Sequence, residues 1–119
     1  MKYLALIYSD EHSLEGLSDG DRQAMYERYR AFGDEVRAAG KLEDGAELAP
    51  TSSATTVRVR DGETVVVDGP FIETREALGG YYVLDCEGMD EAVAFAAKIP
   101  GAERGAVEVR PAYVEEEEQ

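Results

Sequence analysis

Residues 3–8 form an apolar run, and this run limits the folds that are open to the chain. Side chains alternate between the two faces of a strand, so both faces of this strand are apolar. One face carries Leu4, Leu6 and Tyr8, and the other carries Tyr3, Ala5 and Ile7. A strand with two apolar faces is buried on both. Because helices on one side of a small sheet leave its other side open, a second layer must cover that side.

Two amphipathic helices are predicted between the strands. The first has a stripe of apolar residues at spacings of three and four: Met25, Tyr29, Phe32, Val36 and Ala39. Ser18 or Asp19 is its expected N-cap, and Gly40 lies just past its end. The second helix begins at Asp90 and Glu91, and Pro100-Gly101 ends it. Its predicted buried stripe is Ala92, Val93, Ala96 and Ile99.

The remaining segments predict strands and one hairpin. Asp61-Gly62 is a strong turn signal between two strands, Thr55–Arg60 and Glu63–Asp68. Arg58 and Arg60 alternate with valines in the first of these, which indicates a peripheral strand with one wet face. Other strands are predicted at 42–50, 80–86 and 106–114, and residues 9–18 are a loop by composition. The order is an α+β, ferredoxin-like βαββαβ pattern with an inserted hairpin.

The turn Asp68-Gly69-Pro70-Phe71 follows the hairpin directly. Gly69 can adopt positive φ, and Pro70 fixes its own φ, so the turn holds Asp68 and Phe71 in a fixed relation. Two interpretations of Asp68 stand side by side. It either caps its own turn by accepting local N–H bonds, or it is a functional carboxylate.

The segment from Val67 to Tyr82 resembles the signature of the DGPF group of YCII-related proteins. The opening residues 1–8, the hairpin 54–62 and the ending 107–111 are of the same type. The resemblance covers nearly the whole chain and is lost only at the acidic tail. It implies a dimeric α+β barrel in which two sheets pack face to face, so the doubly apolar first strand and the resemblance both predict a homodimer.

The resemblance also implies site residues. YCII-related proteins carry an aspartate near the middle, which corresponds to Asp68, and a histidine on the first helix. Counting back from Gly40, Tyr29 fills the place of that histidine. A phenol has a reference pKa near 10, so it does not replace imidazole as a base at neutral pH, although it can exchange hydrogen bonds. This departure puts histidine–aspartate chemistry in doubt for this chain.

The last strand adds charged residues to the expected site. Val107 and Val109 share one face, and Glu108 and Arg110 share the other. If the valines meet the helices, the charged pair points into the space between two sheets, where a buried charge needs a partner. Glu108 and Arg110 then pair with each other, with Asp68 or with a ligand. The same pair also has a structural interpretation, as an ion pair that fixes the geometry of the dimer.

These residues predict a cleft for a small organic molecule. Asp68 is the expected base, and the expected substrate-binding residues are Tyr8, Tyr29, Phe71, Tyr82, Glu108 and Arg110. The chemistry would be a proton transfer without a cofactor, such as isomerisation or elimination. A ligand-sensing or regulatory module associated with extracytoplasmic-function sigma factors is the alternative, because genes of the DGPF group often lie near them. Glu73 and Arg75 are expected on the surface or rim.

Other site types find little support. One histidine and one cysteine exclude a His/Cys zinc site within one chain, and no metal is expected. Gly79-Gly80 opens a strand rather than a helix, which is not a phosphate cradle. His12 lies in a polar loop and is expected to be a solvated surface residue. No G-x-S-x-G turn marks a serine hydrolase.

Charge and composition limit the classes of molecule that the chain is expected to bind. The 119 residues carry 26 acidic and 12 basic side chains, a net charge of −14. Nucleic acid and anionic membrane surfaces would be repelled. Cys86 is alone and no signal peptide is visible, so a reducing, cytoplasmic location is expected. A single domain at 1–114 and a disordered acidic tail at 115–119 complete the prediction.

Overall fold

The computed structural model describes residues 1–115, so most of the expected acidic tail lies outside the described residues. These residues form six strands: β1 (Lys2–Ser9), β2 (Leu42–Glu47), β3 (Thr55–Arg60), β4 (Glu63–Asp68), β5 (Ala77–Asp85) and β6 (Ala106–Pro111). Three α-helices lie among them: α1 (Glu11–Glu15), α2 (Asp19–Ala38) and α3 (Met89–Ala96). Short 3-10 turns occur at Thr51–Ser53 and Pro100–Glu103.

Four of the strands form an antiparallel sheet in the order β2-β5-β1-β6. Strand β1 pairs with β5 on one side and with β6 on the other, and β2 pairs with β5 at the edge. Strands β3 and β4 form a separate two-stranded sheet. In the order of the chain, this hairpin is inserted between β2 and β5. The α+β, ferredoxin-like pattern with an inserted hairpin is therefore confirmed. The sheet-to-sheet dimer stays a prediction.

Helix α2 begins and ends where its capping residues predict. The Ser18 hydroxyl accepts a hydrogen bond from the Asp21 N–H at 3.1 Å, which satisfies one of the free amides of the first turn. Gly40 follows the helix with φ +72°, the left-handed conformation that favours glycine. Phe32 and Val36 are the large buried side chains of this helix.

The helices cover one face of the sheet, and the core lies between the two layers. Alternate β1 residues Tyr3, Ala5 and Ile7 are buried there, together with Leu84 of β5 and Val36. Val107 and Val109 of β6 pack against the same cluster. The covered face therefore closes within one chain.

The opposite face, which we call the open face, has no layer over it within residues 1–115. It carries Leu4, Leu6 and Tyr8 of β1, which are only half-buried. Consistent with two layers rather than three, the shortest dimension of the chain is 18 Å, against 57 and 48 Å for the others. The radius of gyration is 16.8 Å, compared with about 13 Å for a compact 100-residue domain. The chain is flat and extended.

The β3–β4 hairpin is exposed on both faces, whereas one wet face was predicted. Val57 and Val66 are paired across it on one face and are 61% and 59% exposed. Val65 and Val67 lie on the other face and are also exposed. Among the described residues, no neighbouring layer covers these valines, which would be buried in a sheet core.

Several element boundaries correct the prediction. Residues 11–15 form a helical turn rather than a loop, because the Asp10 carboxylate caps it by accepting from the His12 N–H. Strand β5 starts at Ala77 instead of residue 80, and β6 stops at Pro111, which has no N–H for the ladder. Val93 was expected in the buried stripe but is 50% exposed at the edge of the two-turn helix α3.

Candidate functional site

The turn after β4 fixes the position of Asp68. Gly69 has φ +101°, and its N–H donates to the Ala54 carbonyl at 2.7 Å. The Thr56 hydroxyl donates to the Gly69 carbonyl at 2.8 Å. These bonds use the backbone of the turn, and within residues 1–115 no hydrogen bond or ion pair engages the Asp68 carboxylate. The carboxylate does not cap its own turn and is exposed.

A series of hydrogen bonds connects the base of the hairpin, where β3 begins and β4 ends, to the end of β1. We call this base the hairpin root. The Ala54 N–H donates to Thr51, whose N–H and hydroxyl both donate to the Glu11 carboxylate, at 2.8 and 2.7 Å. Glu11 opens helix α1, which follows the end of β1 at Ser9. Tyr8 lies at that same end. Asp68 is therefore held at the end of the sheet where Tyr8 lies.

Three neighbouring polar residues stay on the surface. His12 is 87% exposed and faces Glu15 of its own helix, at 3.6 Å. Arg75 is 91% exposed and approaches the Asp10 carboxylate at 3.5 Å. Glu73 is exposed as well. Their positions agree with the surface roles expected for them.

Tyr29 and Tyr82 come together on the covered face of the sheet. Both are half-buried, and burial raises the pKa of each phenol above its ordinary value. The negative charge of Glu47 raises both pKa values further, and ionisation of Tyr29 would raise the pKa of Tyr82. The Tyr29 hydroxyl lies against Gly101, because a methyl group added to Gly101 would be 2.8 Å from it. Both phenols are thus hydrogen-bond donors at neutral pH.

Tyr8, Glu108 and Arg110 lie on the open face instead. Arg110 is opposite Leu4 in the β1–β6 pairing, and Glu108 is opposite Leu6. Both charged residues are exposed, and neither makes an ion pair within the described part of the chain. Tyr8 is opposite Ala106, four residues along the strand from Arg110, a distance of about 13 Å at the rise of a strand.

The expected single cleft does not form within one chain, and the placement of Tyr82 is corrected. Tyr82 is opposite Ala5, on the covered face, and its ring lies 5.0 Å from that of Phe32. It cannot line the same space as Tyr8, because the two side chains point to opposite faces of the sheet. Phe71 also lies apart, 68% exposed beside the hairpin, with the Arg58 guanidinium 5.4 Å from its ring centroid.

A family comparison decides what kind of domain this is. The model of the YCII-related domain matches residues 1–115, the whole described part of the chain. The chain belongs to the YCII-related family. The resemblance seen in the sequence is confirmed by this match.

One relative and one solved structure place this YCII-related domain among known proteins. It is 41% identical over 113 residues to an uncharacterized protein, R00369, of Rhizobium meliloti (strain 1021), with 93% of this chain and 91% of that protein covered. Its fold is similar to that of 5-chloro-2-hydroxyhydroquinone dehydrochlorinase (TftG) from Burkholderia phenoliruptrix AC1100, solved in complex with 2,5-dihydroxybenzoquinone. That likeness has a TM-score of 0.53 at 17% identity, and covers 95% of this chain and 94% of the other.

Glu47 is the residue of this YCII-related domain that sequence reasoning missed. It ends β2 opposite Gly80, and its charge acts on Tyr29 and Tyr82. The alternation of β2 gives the signal, because Gly45 and Glu47 share a face and Gly45 packs against the Tyr82 ring.

The described residues lack two features that would indicate other roles. No group of three or more His, Cys, Asp or Glu side chains among residues 1–115 is placed to hold a metal ion. In the same part of the chain, no helix combines the length and apolar character needed to cross a membrane.

Proposed function

We propose that this YCII-related protein binds a small organic molecule and catalyses a proton transfer without a cofactor, such as isomerisation or elimination. Asp68 is the base. The observation that carries the proposal is the free Asp68 carboxylate on a turn that is fastened through its backbone. A general base must be available to accept a proton and must be held in position, and this arrangement supports both requirements.

A phenol supplies a hydrogen bond in the proposed site. Tyr29 and Tyr82 lie on the covered face of the sheet, so the phenol available to a ligand between two open faces is Tyr8, whose hydroxyl can donate to an oxygen of the ligand. Tyr8 lies at the same end of the sheet as the hairpin root, on the open face. Substrates with carbonyl or phenolic oxygens match this donor.

A homodimer completes the proposed site. Two sheets packed through their open faces would cover Leu4, Leu6 and Tyr8, and a second copy would also cover the valines of the hairpin. A second copy would also exclude water from the space beside the Asp68 carboxylate, where the substrate would bind. The dimer therefore contributes to the chemistry as well as to the stability.

The test begins with a thermal-shift screen of small carboxylates, phenols and quinones, with 2,5-dihydroxybenzoquinone among the probes. Compounds that stabilise the protein are then assayed for turnover. Asp68→Asn is expected to retain binding and to lose at least about a hundredfold in kcat, the usual contribution of a general base. Glu47→Gln is the matched control, because it removes the other carboxylate near the phenols and is expected to keep most of the activity.

Two results would overturn the assignment. Equal turnover by Asp68→Asn and the wild-type protein would remove Asp68 as base, and loss of turnover in Glu47→Gln alone would transfer that role to Glu47. Binding without turnover of any bound compound would favour the ligand-sensing alternative, which no residue contact described above favours.

A further inference from the structure

Asp68 and Arg110 lie at opposite ends of the sheet of one chain. The hairpin root is tied through Thr51 and Glu11 to the end of β1 at Tyr8. Arg110 is opposite Leu4, toward the beginning of β1. The charges are thus separated by most of the length of the strand, and they do not meet within one chain.

Each of these two charges lies on an apolar surface. Asp68 is opposite Thr55 in the hairpin, on the face that carries Val57, Val59 and Val66. All three valines are 59–61% exposed. Arg110 lies on the open face beside Leu4 and Leu6. Within residues 1–115 neither charge has a counter-ion within ion-pair distance. A negative charge on one bare apolar surface and a positive charge on the other are complementary.

We infer that a second copy of this chain covers both surfaces and that Asp68 of each copy faces Arg110 of the partner subunit. This inference rests on the dimer proposed above and adds its geometry. A two-fold axis that lies between the sheets and runs across the strands exchanges the ends of the two sheets. This axis brings the hairpin end of one copy to the Arg110 end of the other. The same contact therefore occurs twice, once at each end of the dimer.

The other two-fold arrangement is electrostatically worse. An axis parallel to the strands places like ends together, so Arg110 would lie near the Arg110 of the partner subunit and Asp68 near its own copy. Like charges facing each other in an interface cost several kcal/mol. Each copy has a net charge of −14, so the two copies repel each other. Pairing Arg110 of each copy with a carboxylate of the other limits this repulsion.

The arrangement makes the proposed site a product of two chains. Asp68 and Tyr8 come from one copy, and the guanidinium of Arg110 comes from the partner. A guanidinium in this place binds an anionic or carbonyl oxygen of the substrate in a forked geometry. Each dimer has two such sites, one at each end. Substrates that are carboxylates or ionised phenols fit this composition.

A charge-reversal experiment tests the pairing without any assay of turnover. Asp68→Lys places two cations together at both contacts of its dimer, and Arg110→Glu places two carboxylates together. Each variant alone is expected to weaken the dimer at least about tenfold, the effect of 1.4 kcal/mol. An equimolar mixture is expected to recover dimers, because a mixed dimer has one original pair and one reversed pair. Molar mass from sedimentation equilibrium is the readout, and native mass spectrometry identifies the mixed dimer.

Arg30→Glu is the matched control, because Arg30 is an exposed arginine on α2, the helix on the covered face of the sheet. It changes the net charge as Arg110→Glu does and is expected to leave the dimer intact. Recovery in the mixture, with this control unaffected, supports the pairing in trans. The inference is overturned if the mixture behaves as the sum of its parts, or if both single variants dimerise as the wild type does. Because the readout is assembly, these outcomes are independent of whether Asp68 is the catalytic base.

Discussion

The two faces of the central sheet differ in how completely one chain closes them. On the covered face, Ile7 is 8% exposed and Leu84 is fully buried. On the open face, Leu4 and Leu6 of the same strand β1 are only half-buried. The hairpin extends this contrast, because its valines are exposed on both sides. Burial of apolar surface is the main force that stabilises a fold.

This difference indicates that the two regions have different roles within one small domain. The covered face supplies the stability of the single chain, and its phenols are set among residues that the chain itself packs. The open face and the hairpin carry Asp68, Tyr8 and Arg110, whose side chains make no hydrogen bond or ion pair within residues 1–115. A second layer, rather than further folding of the same chain, is what these surfaces need. The predictions below set the two regions against each other.

Truncation of the core on the covered face should have the largest effect. Leu84→Ala removes a fully buried side chain, and such changes cost about 2–5 kcal/mol because a cavity remains. The measurement is the free energy of unfolding in urea at fixed protein concentration. Leu4→Ala, on the open face, should cost less at low concentration and more at high concentration. Equal losses for both, independent of concentration, would remove the distinction between the faces.

Introducing a charged side chain into the hairpin should weaken the dimer without unfolding the single chain. Val66→Asp is expected to raise the dimer dissociation constant at least about tenfold, because burial of a valine contributes about 1.5–3 kcal/mol. Its far-UV circular dichroism should stay unchanged, since Val66 is exposed in the single chain. Val93→Asp is the control, because Val93 is 50% exposed on the covered side. Dimers of unchanged affinity in Val66→Asp would show that the hairpin is not an interface.

The free energy of unfolding should be sensitive to a single methyl group added next to the Tyr29 hydroxyl. In Gly101→Ala the new methyl would lie 2.8 Å from the Tyr29 hydroxyl and 2.8 Å from a methyl of Ile7. Such overpacking costs about 1–3 kcal/mol, measured by urea unfolding. Gly16→Ala meets nothing within 4 Å and should be neutral or slightly stabilising. If both variants unfold alike, the Tyr29 hydroxyl is not held against Gly101.

The smallest effect is expected at alkaline pH. The pKa of Tyr29 and of Tyr82 is raised by burial above the ordinary phenol value of 10.0. Their neutral forms stabilise the folded state fully below pH 10, and this contribution is lost as the pH rises through the higher pKa of the folded state. Tyr29→Phe should therefore flatten the alkaline fall in unfolding free energy. Tyr113→Phe is the control, since Tyr113 is 92% exposed, and an unchanged slope in Tyr29→Phe would contradict the burial of this phenol.

The sequence predicts most of the fold because its signals are local. Gly40 ends α2 with positive φ, and Asp61-Gly62 joins β3 to β4, as their backbone preferences require. Helix α1 was missed because its five residues have no apolar stripe, and only the cap at Asp10 indicates it. The two faces of β6 were also predicted correctly, since valines alternate with Glu108 and Arg110.

The candidate site was harder to predict, because its parts depend on contacts between distant elements. Strand β5 is apolar on both faces, so alternation alone does not tell whether Tyr82 lies on the same face of the sheet as Tyr8. The position of Asp68 depends on hydrogen bonds that join Thr51 to Glu11, 40 residues apart. The alternation of β2 puts Glu47 on the same face as Gly45, but only the pairing of β2 with β5 brings that face to the phenols. Local patterns therefore identify the residues of the site but not their grouping.

The molar mass of the wild-type protein in solution tests the central claim most directly. Light scattering should be used, because elution volume depends on shape as well as mass and the described residues form a flat, extended body. At micromolar concentration we expect about twice the chain mass of 13.0 kDa, with dissociation only on strong dilution. A monomer of 13.0 kDa that remains folded at that concentration would contradict the account. The open face and the hairpin would then be exposed in the working protein, and the site would have to be built by one chain alone.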